Sequence, residues 1–297
     1  MTFPTLSKRV RLGIALVLVA GALAFGAVVY WRKVYSQPVN VFNRMLSNAL
    51  TTSSVAKHSV VSSDGQTISQ VTDLFLSPNQ RVHGLINITQ KSIETSTVKR
   101  ETLTTTSDSY VRLVSVDTTQ KNSNGQAFDF SSITGVWGHT PADDSTNSLS
   151  QLFGQNVAVP YANLSVKQRK DLLSQIQTDG VYEVDTKNAQ HLRQNGRPVM
   201  QFPVTVKPDA FIKMMKTLGL TLGVKGFEQV NAADYKNLPK VSFTFTVDIL
   251  SGDLIKVDYG NGQIEDYSGY GIRTLPNDPA DAIPMSQLQN RLQNLQR

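Results

Sequence analysis

The most distinct pattern along the chain is an uninterrupted apolar segment near its N-terminus. Residues 12–31 read LGIALVLVAGALAFGAVVYW and include no charged side chain. An α-helix of about 20 residues is roughly 30 Å long, which matches the hydrocarbon core of a bilayer. Tyr30 and Trp31 end the segment with the aromatic side chains that are common at a membrane interface. The pattern predicts one transmembrane anchor over residues 12–31.

Basic residues flank this segment and predict its orientation. They are Lys8, Arg9, Arg11, Arg32 and Lys33. Three precede the segment and two follow it, which favours a cytoplasmic N-terminus over residues 1–11 and an extracytoplasmic C-terminal domain in the cell membrane. The alternative is a cleaved signal peptide, with its apolar core over residues 12–20 and its cleavage site at Ala22-Leu23-Ala24. Both interpretations export the same domain.

The pattern then divides the rest of the chain. Residues 32–40 are predicted to form a juxtamembrane linker, and residues 41–276 one extracytoplasmic domain. Apolar residues at helical spacing predict that this domain begins with a helix through residues 41–50, for which Asn40 is the expected N-cap. Residues 277–297 are predicted to be a C-terminal tail with a short amphipathic helix over residues 285–295.

Most of the domain has the composition of β-strands separated by turn residues. Segments rich in Val, Ile, Thr, Leu and Tyr cover residues 69–77, 81–90, 93–106, 109–118, 180–186 and 197–207. In residues 241–249 apolar and polar side chains alternate, which predicts one buried and one exposed face. Ser251-Gly252-Asp253 and Asn261-Gly262 are turn signals, so residues 241–270 are predicted to form a three-stranded antiparallel meander.

Helices are predicted at two places between these strands. Residues 166–177 follow the N-cap Ser165, and residues 210–218 follow Pro208 and the expected cap Asp209 and stop at Gly219. The fold class is therefore α+β, a curved antiparallel sheet, or half-barrel, packed with a few helices. The pattern leaves open whether residues 58–150 and 180–271 share one sheet.

Charge and cysteine content exclude several classes of protein. The net charge of +6 comes mostly from the flanks of the apolar segment and leaves +1 for residues 41–297, too little for the basic surface of a nucleic-acid-binding protein. No cysteine is present, which removes thiol catalysis, disulfides and a lipid-modified N-terminal Cys.

The sequence also lacks recognisable catalytic motifs. Its four histidines are not at metal-ligand spacing, and no serine-hydrolase elbow or Walker A loop occurs. Three carboxylate pairs could serve as acid and base: Asp143-Asp144, Glu183/Asp185 and Glu265-Asp266. We expect the first in a polar loop and the others on solvent-facing sides of strands. The expectation is a non-enzyme without cofactor or metal.

Apolar side chains around the helix at residues 210–218 suggest a ligand site. A curved sheet covered by such a helix can enclose an apolar space, and Met side chains suit ligands of variable shape. The candidate ligand-binding residues are Phe211, Met214, Met215, Leu218, Phe243 and Phe245. The alternative is that these side chains simply fill the core.

The C-terminal half also resembles a known family. Residues 180–186, 199–206 and 210–218, and the ending VSFTFTVDILSGDLIKVDYGNGQIEDYSGYG, are similar to the LolA/LppX-like superfamily, which includes the LprG-type lipoproteins. The matching positions are Val241–Asp248, Gly252, Leu254–Val257 and Asp266-Tyr267. The resemblance implies a bent half-barrel sheet around helices, with an apolar cavity for acyl chains.

Two functions follow as hypotheses. The first is a membrane-anchored protein that binds or hands over a lipid-like molecule, with membrane lipid as its partner. The second is a non-enzymatic structural or interaction module of the cell envelope, with a filled core and a protein or cell-wall partner. A cavity above roughly 300 Å³ favours the first hypothesis, and a filled core favours the second. No nucleic-acid partner is expected.

Overall fold

The structure, a computed structural model, describes residues 8–76, 78, 80–91, 95–121, 125–141, 158–224 and 226–295. The helices are α1 (Lys8–Tyr30), α2 (Pro38–Ala49), α3 (Val166–Asp179), α4 (Pro208–Thr221) and α5 (Met285–Leu295). A π-helical turn, Trp31–Tyr35, follows α1, and two short 3₁₀ helices, Phe227–Gln229 and Ala232–Tyr235, follow α4.

Thirteen strands of the described residues form one large, open, curved sheet. They are β1 (Ser54–Ser63), β2 (Gln66–Phe75), β3 (Arg81–Lys91), β4 (Thr95–Thr104), β5 (Asp108–Thr118), β6 (Trp137–Pro141), β7 (Tyr182–Val184), β8 (Gln190–Gln194), β9 (Arg197–Val206), β10 (Val241–Asp248), β11 (Leu254–Asp258), β12 (Ile264–Ser268) and β13 (Ile283–Pro284). The fold class is α+β, as the pattern predicts. The predicted strand ends Ser77 and Ile93 lie outside the described residues.

The two halves of the domain share this sheet through one strand pair. The order is β13-β6-β5-β4-β3-β2-β1-β12-β11-β10-β9-β7, with β8 also paired to β9. Strand β1 joins β12 antiparallel, with Ala56 opposite Ser268 and Val60 opposite Ile264. This pairing settles the question that the sequence pattern leaves open.

The core lies between the sheet and helices α2, α3 and α4. Phe42 of α2 packs against the rings of Phe202 and Phe245, whose centroids lie 6.0 and 6.4 Å from its own. Leu172 and Ile176 of α3 and Met214, Met215 and Leu218 of α4 are buried in the same cluster. We call the covered side of the sheet its core face.

Two helix starts differ from the prediction for the same reason. Helix α2 begins at Pro38 after Gln37, not after Asn40, and α4 begins at Pro208 after Lys207, not after Asp209. Proline is favoured at the first position of a helix because its fixed φ suits the helix and its missing N–H would have no partner there. Asn40 instead donates a hydrogen bond to the carbonyl of Val34 at 2.7 Å.

Helix α4 also continues past the predicted stop at Gly219. It ends at Thr221, and Gly219 is buried. A Cβ atom at this position would lie 2.4 Å from Cγ of Phe227, so glycine admits the ring against the helix. Glycine is needed at position 219 because the Phe227 ring lies so close to the helix, and it does not mark the end of the helix.

The prediction of an exposed face for residues 241–249 is wrong at the end of β10. Thr246 and Asp248 are buried, and so are the neighbouring apolar residues Phe245, Val247 and Ile249. The Asp248 carboxylate accepts hydrogen bonds from the N–H groups of Leu250 and Ser251, so the turn itself satisfies the buried acid. 

The C-terminal segment crosses the ends of strands β1–β5 after β12. Arg273 donates to Asp73 of β2 at 2.7 Å, and Arg81 of β3 pairs with Asp278. Strand β13 then pairs in parallel with β6, and Leu288 of α5 packs over Gly138. The predicted tail is thereby attached to the far edge of the sheet.

The N-terminal helix leads directly into the domain. The π-helical turn is separated from α2 by Ser36 and Gln37 alone, and every residue from Val19 to Val34 is exposed. In the part of the chain that the structure describes, we find no helix both long and apolar enough to cross a membrane. Residues 1–7 and 296–297 lie outside the described residues. So do the side chains of residues 8–18, which include positions 12–18 of the predicted anchor.

Candidate functional site

An open apolar pocket lies where helix α4 begins, at one end of strands β9 and β10. Its volume is about 320 Å³. The lining residues are Ala158, Val206, Pro208, Phe211, Ile212, Tyr235, Val241, Phe243, Tyr259 and Gln263. Apolar and aromatic side chains around a few polar groups are the usual composition of a small-molecule site.

The local chain geometry forms this pocket. Val206 ends β9 and Pro208 starts α4, so the chain reverses from sheet to helix within two residues. Val241 lies directly opposite Val206 on the neighbouring strand. Phe211 and Ile212 lie near the start of α4 and close the pocket from the helix side.

A buried acid supports one wall of the pocket from behind. The Tyr259 ring faces the pocket, and its hydroxyl donates to Glu265 at 2.7 Å. Glu265 is 0% exposed, and its carboxylate also accepts from Tyr267 at 2.6 Å and from Lys57 at 2.9 Å. The predicted solvent-facing position of Glu265 is therefore wrong, because alternation along β12 sends Glu265 to the core face and Asp266 outward.

The tyrosines around Glu265 stay protonated. Burial, and then the charge of Glu265, raise the pKa of Tyr259 far above its ordinary value, and the same two causes act on the pKa of Tyr267. The hydroxyls therefore act as hydrogen-bond donors to the carboxylate. Tyr161 stacks on Tyr267 with ring centroids 5.5 Å apart, and it shares a 3.1 Å hydrogen bond with Tyr270.

The structure divides the six predicted ligand-binding residues into two groups. Phe211 and Phe243 line the pocket. Met214, Met215, Leu218 and Phe245 lie in the core beneath it, with exposures of 0–4%. A ligand-binding role for all six stays a prediction.

Several pocket residues escaped sequence reasoning. Ile212 carries a signal, because it is adjacent to Phe211 on an amphipathic helix. The sequence has no local signal for Tyr259 and Gln263, since it is the turn between β11 and β12 that brings them beside Phe243. Tyr235 lies in a 3₁₀ turn that no periodic pattern marks.

Among the described residues, the remaining candidate histidines and carboxylates do not form a second catalytic or metal-binding site. His83 contacts Glu101 at 2.7 Å, and His139 contacts Asp108 at 2.6 Å. Glu183 is exposed and pairs with Lys240 at 2.8 Å, and the pair Asp143-Asp144 lies outside the described residues. Within the described ranges, no group of three or more His, Asp or Glu side chains could hold a metal ion.

Comparison with known proteins gives a structural likeness but no match of sequence. No family model matches the chain, and no curated protein matches it. The structure is similar to the crystal structure of LprF from Mycobacterium bovis, with 12% sequence identity and a TM-score of 0.40, over 80% of this chain and 94% of that chain. LprF is a lipoprotein of the LppX/LprG family, the family that the C-terminal sequence pattern resembles.

Proposed function

We propose that this protein binds a lipid-like molecule in the pocket at the start of α4. The observation that carries the proposal is an open apolar pocket of about 320 Å³, bordered by Tyr235, Tyr259 and Gln263. Its volume lies at the lower end of the range of roughly 300–1,000 Å³ that is usual for small-molecule pockets. The proposed activity is binding, without a cofactor and without bond chemistry.

The pocket volume limits the size of the ligand. An apolar cavity of about 150 Å³ holds one benzene molecule. A pocket of about 320 Å³ is twice that size, so it accepts roughly a dozen carbon atoms. The ligand class that fits is a single medium-length acyl chain with its polar end at the pocket mouth.

The proposal includes an N-terminal membrane anchor and an extracytoplasmic domain. The uncharged segment at residues 12–31 supports the anchor, and so does the exposure of every side chain from Val19 to Val34. Apolar side chains that no part of the domain covers are expected to find another apolar environment. Handover of the ligand to a partner follows from this location as part of the proposal.

A non-enzymatic envelope interaction module is the second candidate function. Four of the six predicted ligand residues are packed in the core, which favours it. Under this alternative the pocket at α4 is an unfilled surface depression, and the partner is an envelope protein or the cell wall.

Photolabelling tests the first function against the second. The full chain in phosphatidylcholine nanodiscs is exposed to dodecanoic acid that carries a diazirine near its methyl end. We expect labelling within residues 206–212 or 235–243. Ile212→Trp places an indole ring in the pocket and fills part of its volume, so labelling should fall at least fivefold.

Leu220→Trp is the matched control, because Leu220 lies on the same helix, is 50% exposed and does not line the pocket. It should label like the parent protein. Equal labelling of both variants, or labelling scattered over the surface, would reject the ligand pocket and favour the interaction module.

A further inference from the structure

A second pocket, separate from the proposed lipid site, lies where the N-terminal helix meets α2. It is open and has a volume of about 410 Å³. Helix α2 lines it with Asn40, Asn43, Arg44 and Ser47. Positions 40, 43, 44 and 47 follow the helical repeat of three and four residues, so they share one face of the helix, while the opposite face is buried in the core.

Arg44 gives this pocket a positive charge that no described carboxylate pairs. Its guanidinium stacks over the ring of Tyr35, 3.7 Å from the centroid. It donates to the carbonyls of Tyr35 at 2.7 Å and Ile249 at 2.9 Å, which are neutral acceptors. Its Nε is buried without a hydrogen-bond partner among the described residues. Each terminal nitrogen has a further N–H to offer.

Two more polar side chains in the same wall are available to a ligand. The Asn43 amide and the Ser47 hydroxyl make no hydrogen bond to any described residue. Both line the pocket beside Arg44. An amide, a hydroxyl and a guanidinium on one helix face are the donors that bind a phosphate in proteins.

The segments of the chain that line this pocket contain no acidic residue. The first acidic residue of the sequence is Asp64, so the anchor, the π-helical turn and α2 contain none. Arg32 and Lys33 are exposed on the adjoining turn. Asp253, in the turn between β10 and β11, contacts Asn48 near the C-terminal end of α2 at 3.4 Å.

We propose that this pocket binds the phosphate group of an anionic lipid at the membrane surface. The choice of a lipid phosphate over a free one rests on the anchor included in the proposed function, which places the end of α1 at headgroup level. Tyr30, Trp31 and Tyr35 supply the aromatic side chains typical of that level. The phosphate interacts with Arg44, Asn43 and Ser47, and Arg32 and Lys33 add long-range attraction.

Lipid retention by the full-length protein tests the proposal. The protein in neutral detergent is mixed with phosphatidylglycerol or with diacylglycerol of identical acyl chains, which lacks the phosphate, and retained lipid is counted by native mass spectrometry. We expect about tenfold stronger retention of phosphatidylglycerol, the effect of hydrogen bonds to a charged group. Asn43→Leu should remove most of this preference, and Ser47→Ala part of it.

Asn290→Leu is the control variant, since Asn290 is an exposed helical asparagine far from the pocket in sequence. It should retain lipid like the parent protein. Equal retention of the two lipids, or equal behaviour of Asn43→Leu and Asn290→Leu, would overturn the proposal. Ser47→Ala gives a second reading if Asn43→Leu fails to fold.

An arm with inorganic phosphate identifies the source of the phosphate group. Trp137→Phe leaves Trp31 as the single tryptophan, and Trp31 stacks on Tyr35 at 4.6 Å. A change in Trp31 fluorescence on addition of inorganic phosphate, abolished by Asn43→Leu, supports the phosphate site. If phosphatidylglycerol is then retained no better than the lipid without phosphate, the proposal that a lipid supplies the phosphate is overturned. Asn43→Leu should leave the dodecanoic acid labelling unchanged, so the two proposals fail independently.

Discussion

At the scale of single residues, the structure depends on a charge buried in an apolar core. Glu265 is 0% exposed and lies on the core face of β12, behind the pocket wall formed by Tyr259. An unpaired carboxylate in this position would be strongly unfavourable. Lys57 supplies the opposite charge at one carboxylate oxygen, and two tyrosine hydroxyls donate to the other. The acid thereby fixes the tyrosine that forms the pocket wall.

Glu265→Gln should destabilise the protein by about 3–5 kcal/mol, because it leaves the Lys57 ammonium buried without a counter-charge. Urea unfolding measures the free energy of unfolding. Asp266→Asn is the matched control, since Asp266 is the next residue on the exposed face, and we expect a change within about 0.5 kcal/mol. Similar values for the two variants would mean that the Lys57–Glu265 pair is not held as described.

At the scale of secondary-structure elements, one glycine determines how α4 packs. Gly219→Ala should gain up to about 1 kcal/mol of helix propensity. The new methyl group would overlap Phe227, whose ring atoms lie 2.4–2.8 Å from its position. Overpacking costs about 1–3 kcal/mol, so we expect a net loss of stability in thermal or urea unfolding. Gly219→Ala combined with Phe227→Ala should remove the overlap; a stabilised single variant would contradict this packing.

Strands β3, β4 and β5 are connected by an ionic network that predicts a response to acid. Burial raises the pKa of Glu101, but hydrogen bonds and charges from His83 and Arg112 outweigh it, so the pKa lies below its ordinary value. A lowered pKa in the folded state stabilises the protein above the ordinary pKa of about 4.3, and this contribution is lost as the pH falls through the folded value.

The free energy of unfolding should therefore decrease between about pH 5 and pH 3. Glu101→Gln should make that decrease shallower, since the variant has no carboxyl to protonate there. Asp64→Asn, at an exposed hairpin turn, is the control for removal of a charge. An acid decrease of the same slope in parent and Glu101→Gln would contradict the role of this network.

The elements that sequence reasoning found share strong local signals. Strands β10–β12 were predictable because their side chains alternate and Asn261-Gly262 marks a hairpin turn. Strand β1 was missed, since its sequence SVAKHSVVSS mixes polar and apolar residues without a period of two. Its place is set by β2 and β12 on either side, which no local signal encodes. The same limit applies to the site: Phe211 lies on a periodic helix, whereas Gln263 enters the pocket through strand pairing.

At the scale of the whole molecule, the junction with the N-terminal helix and the pocket lie at opposite ends of β10. The carbonyls of Ile249 and Leu250, just after the strand, accept hydrogen bonds from Arg44 and Tyr35. Val241 and Phe243, at its start, line the pocket. Eight strand residues at about 3.4 Å each separate the two sites by roughly 25 Å.

Side-chain hydrogen bonds also hold the junction between the N-terminal helix and the domain. Ser36, Gln37, Asn40 and Arg44 each donate to a backbone carbonyl between Trp31 and Tyr35. The end of a helix has fewer intrahelical donors for its last carbonyls, and these side chains add hydrogen bonds there. These bonds connect the last turn of the N-terminal helix to helix α2 of the domain.

If the N-terminal helix lies in a bilayer, as the proposed function has it, the separation of roughly 25 Å along β10 predicts that the pocket lies away from the membrane surface. The chain has no native cysteine, so Val34→Cys and Leu238→Cys each give one labelling site, the first at the junction and the second between pocket residues Tyr235 and Val241. In nanodiscs whose lipids carry a headgroup nitroxide, a dye at position 34 should be quenched several-fold more than a dye at position 238. Equal quenching would place the pocket at the membrane surface, where it could exchange lipid with its own bilayer. The expected difference would instead mean that a bound acyl chain leaves on the side facing away from that bilayer, where a separate acceptor must receive it.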